Sequence, residues 1–171
     1  LVTCPWGNQI RCTRATEQRP FGIRNIRLKT HIKKLPGIER FYRQLFDAPV
    51  KRNTRQLEVT VGRNQKLTFA AAKVEPEYDG HHIAIYCSQF SRAYDLIKAQ
   101  NKIMEESDQH QYRFDQIFDP LDGSVLYQLE HEVRSLHHPM FNRNLTNRNP
   151  DQTFRNYIPG RDHNYPPNSD E

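Results

Sequence analysis

The segment HHIAIYCSQFSRAYDLIKAQN, residues 81–101, joins a short strand to a helix and decides how the rest of the sequence is interpreted. Ile83 and Ile85 alternate with small or polar residues, which indicates a strand with one apolar face. Ser88 is the predicted N-cap of the helix that follows. This helix is expected to bury one stripe, which comprises Phe90, Ala93, Tyr94 and Ile97.

The same order of elements occurs upstream and continues downstream. In residues 21–32 apolar and polar residues alternate, as in a strand. Apolar residues at helical spacing follow between Ile38 and Leu45. Two more predicted strands follow each helix, and they comprise residues 56–62, 65–73, 112–119 and 124–134. Two β-α-β-β units of roughly fifty residues thus follow one another. Two such units can pair their sheets, with the helices outside and a cleft inside.

The composition excludes several classes of protein. Lys and Arg total 25 against 20 Asp and Glu in 171 residues, and the charges are mixed along the chain, so nucleic-acid binding is not expected. No apolar stretch is long enough to span a membrane, and the first residues do not resemble a signal peptide. Three cysteines without a CxxC pair favour a reducing compartment, so we expect a cytoplasmic protein.

Composition also divides the chain into three parts. Residues 1–20 hold a strand–turn–strand fragment and a polar linker, and residues 21–135 form the predicted domain. Residues 136–171 are a tail rich in Asn, Arg and Pro, without periodicity. Two interpretations of the tail stay open: it is disordered, or it lies extended across a surface of this chain or of a neighbour.

Three motifs carry a resemblance to a known superfamily. They are ERFYRQLFDAPV (39–50), GHHIAIYC (80–87) and FDPLDGSVLYQLEHE (118–132). In their order and spacing they resemble the vicinal oxygen chelate superfamily, which includes glyoxalases, bleomycin-resistance proteins and extradiol dioxygenases. The resemblance implies an α+β fold in which paired βαβββ units form a curled mixed sheet around a cleft, with the helices outside. CPWGNQIRC (4–12) is similar to the closing turn and strand of such a unit, which leaves open that a preceding module ends there.

The resemblance also implies a function. In such proteins the cleft holds a divalent metal, Fe, Zn, Ni or Mn, and the reaction is that of a lyase or a dioxygenase. The substrate would be a small oxygenated molecule. A homodimer, or pairing with a second module of the same fold, is the expected assembly.

One metal ligand is expected on the strand that opens the second unit. His82 directly precedes the Ile-Ala-Ile core pattern, as the superfamily's ligand histidine does. Alternation places His82 on the face opposite Ile83, towards the cleft, whereas His81 is interpreted as the strand's entry residue. Tyr86 shares the face of His82 and is a predicted catalytic group that would orient substrate or transfer a proton.

The remaining candidates lie on the closing strand of the second unit. The span from Gly123 to Leu129 is one residue longer than the superfamily's norm, which predicts a β-bulge. This alignment puts Gln128 at the ligand position, with Glu130 two residues on and on the same face. Tyr127 is the second predicted catalytic group. His131 is not expected to share a metal with Glu130, because adjacent strand residues face opposite sides.

The first unit departs from the pattern. Where a ligand is expected it has Asn25, which is short and rarely ligates transition metals. Arg27 and Lys29 share the face of Asn25, so a basic cleft would favour an anionic ligand. A divalent-metal-dependent enzyme and a metal-free small-molecule-binding module both stay open, and an assembly domain that docks through the tail is a third hypothesis.

Overall fold

A computed structural model describes residues 1–17, 22–107, 110–138 and 140–141, and the structural statements below concern these residues. The chain begins with a small hairpin of strands β1 (Val2–Thr3) and β2 (Gln9–Ile10). The hairpin predicted for residues 1–12 is therefore present. Residues 18–21 of the predicted linker and, in the tail, residue 139 and residues 142–171 lie outside the described residues.

The first unit comprises strand β3 (Asn25–Thr30), helix α1 (Leu35–Phe46) and strands β4 (Val50–Arg52), β5 (Gln56–Gly62) and β6 (Gln65–Ala71). The second comprises strand β7 (His82–Cys87), helix α2 (Phe90–Ala99) and strands β8 (Glu105–Ser107), β9 (Gln111–Phe118) and β10 (Val125–Ser135). Both units have the βαβββ order that the resemblance implies, which is one strand more than the β-α-β-β pattern of the sequence. The sequence pattern missed only β4 and β8, because three residues are too few for alternation to be visible.

Each unit forms its own mixed four-stranded sheet. The strand orders are β3-β6-β5-β4 and β7-β10-β9-β8, so the opening strand of each unit pairs with its closing strand. These opening and closing strands run parallel, and the remaining pairs are antiparallel. The predicted fold class, α+β with paired βαβββ units and an open, curled sheet, is confirmed.

Helix α1 connects the two units through one apolar core. Its Tyr42 ring lies 5.9 Å from Phe69 of the first sheet, and its Phe41 ring lies 5.8 Å from Phe114 of the second. Phe41 and Tyr42 are both fully buried. Burial of a large aromatic side chain stabilises the fold by roughly 1.5–3 kcal/mol. The apolar faces of both sheets therefore meet α1, and the polar faces lie on the other side of each sheet.

Two helix boundaries differ from the sequence prediction. Helix α1 begins at Leu35, three residues before the helical spacing starts at Ile38, because Pro36 is accommodated in the first helical turn. Helix α2 begins at Phe90 with Gln89 as N-cap, and Gln89 makes no capping hydrogen bond with its side chain. Ser88 lies one residue too early to cap this helix.

The turn before β10 is built as the sequence predicts. The Gly123 amide donates to the Asp119 carbonyl at 2.8 Å, and the Asp119 amide donates to the Ser124 carbonyl at 2.8 Å. Gly123 has a φ of 74°, a backbone conformation that residues other than glycine rarely adopt. Neither helix in the described part of the chain is long and apolar enough to cross a membrane.

Candidate functional site

The side of the second sheet that faces away from α1 is polar. We call it the unit 2 polar face, and its members are His82, Tyr86, Arg113, Asp115, Glu130, Glu132 and Arg134. His82 and Glu130 are direct partners in the parallel β7–β10 register. Neighbouring strands lie about 4.8 Å apart, so these two predicted ligands sit side by side. Ile83 is buried on the opposite side of β7, so His82 lies on the exposed side, and its role as a ligand stays a prediction.

An ion-pair network fills the centre of this polar face. Arg113 donates to Glu130 at 3.3 Å and also to Glu132, while Arg134 pairs with the second oxygen of Glu132. The side chain of Glu132 is only 4% exposed. A buried carboxylate must be paired to remain charged, and two guanidinium groups provide that pairing. Glu130, a predicted metal ligand, is thus engaged by Arg113.

The start of the tail covers the end of the unit 2 polar face at which Tyr86 lies. Arg134 donates to the Tyr86 hydroxyl at 3.0 Å, and the Tyr86 ring lies 5.3 Å from that of Phe141 and 6.2 Å from that of His138. The described tail residues form turns, in which the His138 amide donates to the Ser135 carbonyl at 3.1 Å and the Phe141 amide donates to the His138 carbonyl at 2.9 Å. The ring contacts with His138 and Phe141 leave Tyr86 half-buried, and its hydroxyl is tied to Arg134.

The corresponding side of the first sheet is the unit 1 polar face. Thr68 donates to the Asn25 side chain at 2.9 Å, so the amide oxygen of Asn25 is satisfied within the sheet. Arg27 donates to the Gln56 side chain at 3.2 Å but has no ion pair with a described carboxylate, and neither has exposed Lys29. Two cations at alternate positions of one edge strand therefore stay uncompensated on this face.

The residues present fit a divalent metal only in part. Among the described residues, no group of three or more His, Cys, Asp or Glu could hold a metal ion. The topological equivalent of the pair His82 and Glu130 in the first unit is the register pair Asn25 and Lys66. Lys66 donates to Glu58 at 2.9 Å, so an ammonium group stands where a second carboxylate would be needed.

His131 belongs to the core and not to a site. Its Nδ1 donates to the Leu129 carbonyl at 2.8 Å, and its Nε2 accepts from the Tyr42 hydroxyl at 2.7 Å. The ring stacks on Phe114 with centroids 4.6 Å apart. Burial lowers the pKa of His131 to about 4, so the imidazole is neutral at pH 7. The expectation that His131 and Glu130 face opposite sides is confirmed.

A separate cavity lies where the linker between the units passes the start of β10. Its volume is about 130 Å³, and its lining comprises Glu75, Pro76, Glu77, Tyr78, His81, Tyr127 and Gln128. We call it the linker cavity. Tyr127 and Gln128 thus meet His81, rather than His82 and Tyr86. His81 is the entry residue of β7, as predicted, and Asp79 binds its Nδ1.

Strand parity explains why Tyr127 is not beside Tyr86. Tyr127 has the same parity as Leu129, so it lies on the apolar side, where its ring packs edge-on against Phe69 at 5.6 Å. Gln128 and Glu130 lie on the opposite, polar side of β10. The predicted bulge is present near Leu126, where β10 advances two residues for one of β9, and a second register shift lies between Gln128 and His131.

Several site residues were missed from the sequence. Arg113 and Arg134 alternate with core residues in their strands, but their convergence on Glu132 depends on the cross-strand register, which the sequence does not show. Glu75, Glu77 and Tyr78 lie in a segment without periodicity. The mixture of carboxylates and an aromatic residue between two predicted strands was the available signal there.

No family model matches the sequence, and no curated protein is significantly similar to it. The structure is similar to that of a possible glyoxalase from Bacillus cereus, with 12% identity and a TM-score of 0.49 over 66% of this chain and 97% of the other. It is also similar to lactoylglutathione lyase from Agrobacterium tumefaciens, with 17% identity and a TM-score of 0.45 over 69% and 96%. A third is the fosfomycin resistance protein FosX from Mesorhizobium loti, with 15% identity and a TM-score of 0.46 over 66% and 89%. Sequence identities and TM-scores in this range do not specify a function.

Proposed function

We propose that this chain is a glyoxalase-like small-molecule-binding protein that works without a metal and takes a small oxygenated anion. The observation that carries the proposal is the pair Arg27 and Lys29 on edge strand β3, which face the same way and have no described carboxylate partner. An anion held there would receive charge-assisted hydrogen bonds. The Asn25 amide oxygen accepts from buried Thr68, which leaves the exposed amide nitrogen of Asn25 as a further donor to the anion.

We further propose that the binding cleft forms between two copies of the chain. In one chain each polar face lies on the side of its sheet that faces away from α1, and a second copy could cover it. Their charges are complementary. The unit 1 polar face carries Arg27, Lys29 and Lys66 with Glu58, and the unit 2 polar face carries more acidic than basic groups. A two-fold dimer that sets one face against the other makes two identical clefts.

A metal-dependent lyase or dioxygenase is the second candidate. It is favoured by the adjacency of His82 and Glu130, a nitrogen and an oxygen donor that divalent transition metals accept. In that case a metal would activate paired substrate oxygens. Arg113 would have to release Glu130 first, and Lys66 and Asn25 at the equivalent positions add no anionic ligand.

The two candidates are separated by one set of measurements on the full chain. We expect protein purified without added metal to contain no stoichiometric Fe, Zn, Ni or Mn and to take up none in titration. Inorganic phosphate should bind in the millimolar range and weaken about fivefold or more in Lys29→Gln, with Lys33→Gln as a matched control outside the face. Stoichiometric metal that disappears in His82→Ala would support the enzyme instead.

A further inference from the structure

The linker cavity has features of a binding site that are independent of the polar faces. It is built from both units and the segment between them. Glu75 is anchored to the first unit, because its carboxylate accepts from the Thr30 hydroxyl at 2.9 Å and from Lys34 Nζ at 2.7 Å. Tyr127 and Gln128 come from β10 of the second unit. A ligand in the cavity would therefore touch both units.

The charges around the cavity are predominantly negative. Five carboxylates line it or act on its two phenols, and they are Glu75, Glu77, Asp79, Asp115 and Glu130. The groups paired with them are Lys34 at Glu75, Arg113 at Glu130 and the His81 ring at Asp79. Glu77 has no ion pair among the described residues. An anion is disfavoured in such surroundings, and a cation is favoured.

A second observation points to a ligand rather than to a solvated acidic cluster. Tyr127 is only 5% exposed, lines the cavity and has no hydrogen bond to a described residue. The hydroxyl is not sealed in the core but is accessible from the cavity, so a ligand there can supply its hydrogen-bond partner. Burial, with Glu75 and Asp79 nearby, raises the pKa of Tyr127 to about 12, so the hydroxyl stays protonated and neutral. Its oxygen can still accept a hydrogen bond from a group in the cavity.

The lining otherwise offers mainly acceptors and aromatic surface. Glu77 and the side-chain oxygen of Gln128 accept hydrogen bonds, and Tyr78 adds a second ring that lies 5.3 Å from that of His81. A primary ammonium has three donors and no acceptor, which matches this arrangement, and aromatic rings attract cations. The volume of about 130 Å³ suits a compound of a few heavy atoms.

We propose that the linker cavity binds a small organic ammonium compound, with Glu77 as the counter-charge and the Tyr127 hydroxyl and the Gln128 amide oxygen as hydrogen-bond acceptors. The ammonium nitrogen replaces the missing partner of Tyr127. The alkyl part lies against Tyr78 and Pro76. Glu77, Tyr127 and Gln128 are not part of the proposed anion site at Arg27 and Lys29, so the ammonium site stands whether or not that anion site is real.

The test is a titration of the full chain, labelled at tyrosine rings for NMR, with ethylammonium chloride. We expect saturable shifts of the Tyr78 and Tyr127 ring signals, and a loss of affinity of about fivefold to tenfold in Glu77→Gln and in Tyr127→Phe. Glu58→Gln, which removes a carboxylate on the unit 1 polar face, should bind as the native chain does. Melting curves show whether each variant is folded.

Three results would overturn the proposal. The first is the absence of saturable shifts up to about 100 mM ethylammonium, which corresponds to less than about 1.4 kcal/mol of interaction relative to the 1 M standard state. The second is tighter binding of sodium acetate or magnesium chloride than of ethylammonium. The third is equal loss of affinity in Glu58→Gln and Glu77→Gln.

Discussion

The contact between Tyr42 and His131 links the two units at a single pair of atoms. The Tyr42 hydroxyl donates to His131 Nε2 at 2.7 Å inside a core that excludes water. Because Nδ1 donates to the Leu129 carbonyl, the neutral imidazole has one tautomer in which both nitrogens are satisfied. Removal of either partner leaves a buried polar atom without a hydrogen bond.

Tyr42→Phe is therefore expected to lower the free energy of unfolding by about 1–3 kcal/mol, because it removes the hydroxyl but keeps the ring that packs in the core. Urea denaturation monitored by circular dichroism measures this loss. Tyr94→Phe is the matched control, since the Tyr94 hydroxyl donates to exposed Glu106 at 2.7 Å. Equal stability losses in the two variants would show that the buried hydrogen bond stabilises the fold no more than the exposed one does.

The buried imidazole also predicts how stability depends on pH. The pKa of His131 falls from an ordinary 6.5 to about 4 in the folded chain because burial disfavours the cation. Between these values the unfolded chain binds a proton that the folded chain does not. Stability is therefore complete above about pH 6.5 and falls as the pH falls towards 4, by up to about 3 kcal/mol. His138, whose pKa burial also lowers to about 4, acts in the same direction.

The measurement is urea unfolding at several pH values from 7.5 to 4.5. His131→Gln should flatten the acid loss of stability, because glutamine takes up no proton. His82→Gln is the control, since His82 is exposed. If His131→Gln loses stability with acid as steeply as the native chain does, the neutral buried histidine is not the cause.

At the scale of the elements, helix α1 is held against the second unit by a charged pair as well as by its apolar stripe. Arg40 of α1 donates to Asp119 at 3.0 Å through Nε and makes a second bond through Nη2. Asp119 is 7% exposed, and the hydrogen bonds from Arg40 hold its pKa below the ordinary range. The bidentate geometry joins α1 to the turn before β10.

A double-mutant cycle of Arg40→Met and Asp119→Asn should give a coupling energy of about 1–3 kcal/mol, because the pair is bidentate and half-buried. Chemical denaturation of the four proteins provides the numbers. The pair of Arg52 and Glu39, which is more exposed, should give less than about 1 kcal/mol. A coupling no larger than that of the exposed pair would mean that Arg40 does not hold the units together.

The elements that the sequence predicted are those with a clear period. Alternation in β3, β5, β6 and β7 and the stripe of α1 identified both units, and parity placed His82 on the face opposite Ile83. Parity could also have placed Tyr127, which shares its side with Leu129. The Arg113 network could not be predicted in this way, because it depends on which residues of β9 and β10 lie opposite each other across two register shifts.

At the scale of the whole molecule, the proposed function depends on the two polar faces. The sequence predicted two units and a cleft, and the packing of α1 on the apolar side of both sheets directs their polar faces away from it. Packing of this kind depends on the summed contacts of Phe41, Tyr42 and their neighbours, which no local pattern contains. We therefore propose that the cleft forms between two chains, which opposite charges on the two faces hold together.

The most direct test of this assignment is the mass of the full chain in solution, measured by sedimentation at micromolar concentrations. We expect a dimer for the native chain and a monomer for Arg27→Glu/Lys29→Glu, because reversal of two charges sets like against like across the interface. Lys33→Glu/Arg92→Glu changes the net charge equally at exposed positions away from the face and should remain dimeric. A monomeric native chain, or a dimer that survives the reversal at Arg27 and Lys29, would contradict the account.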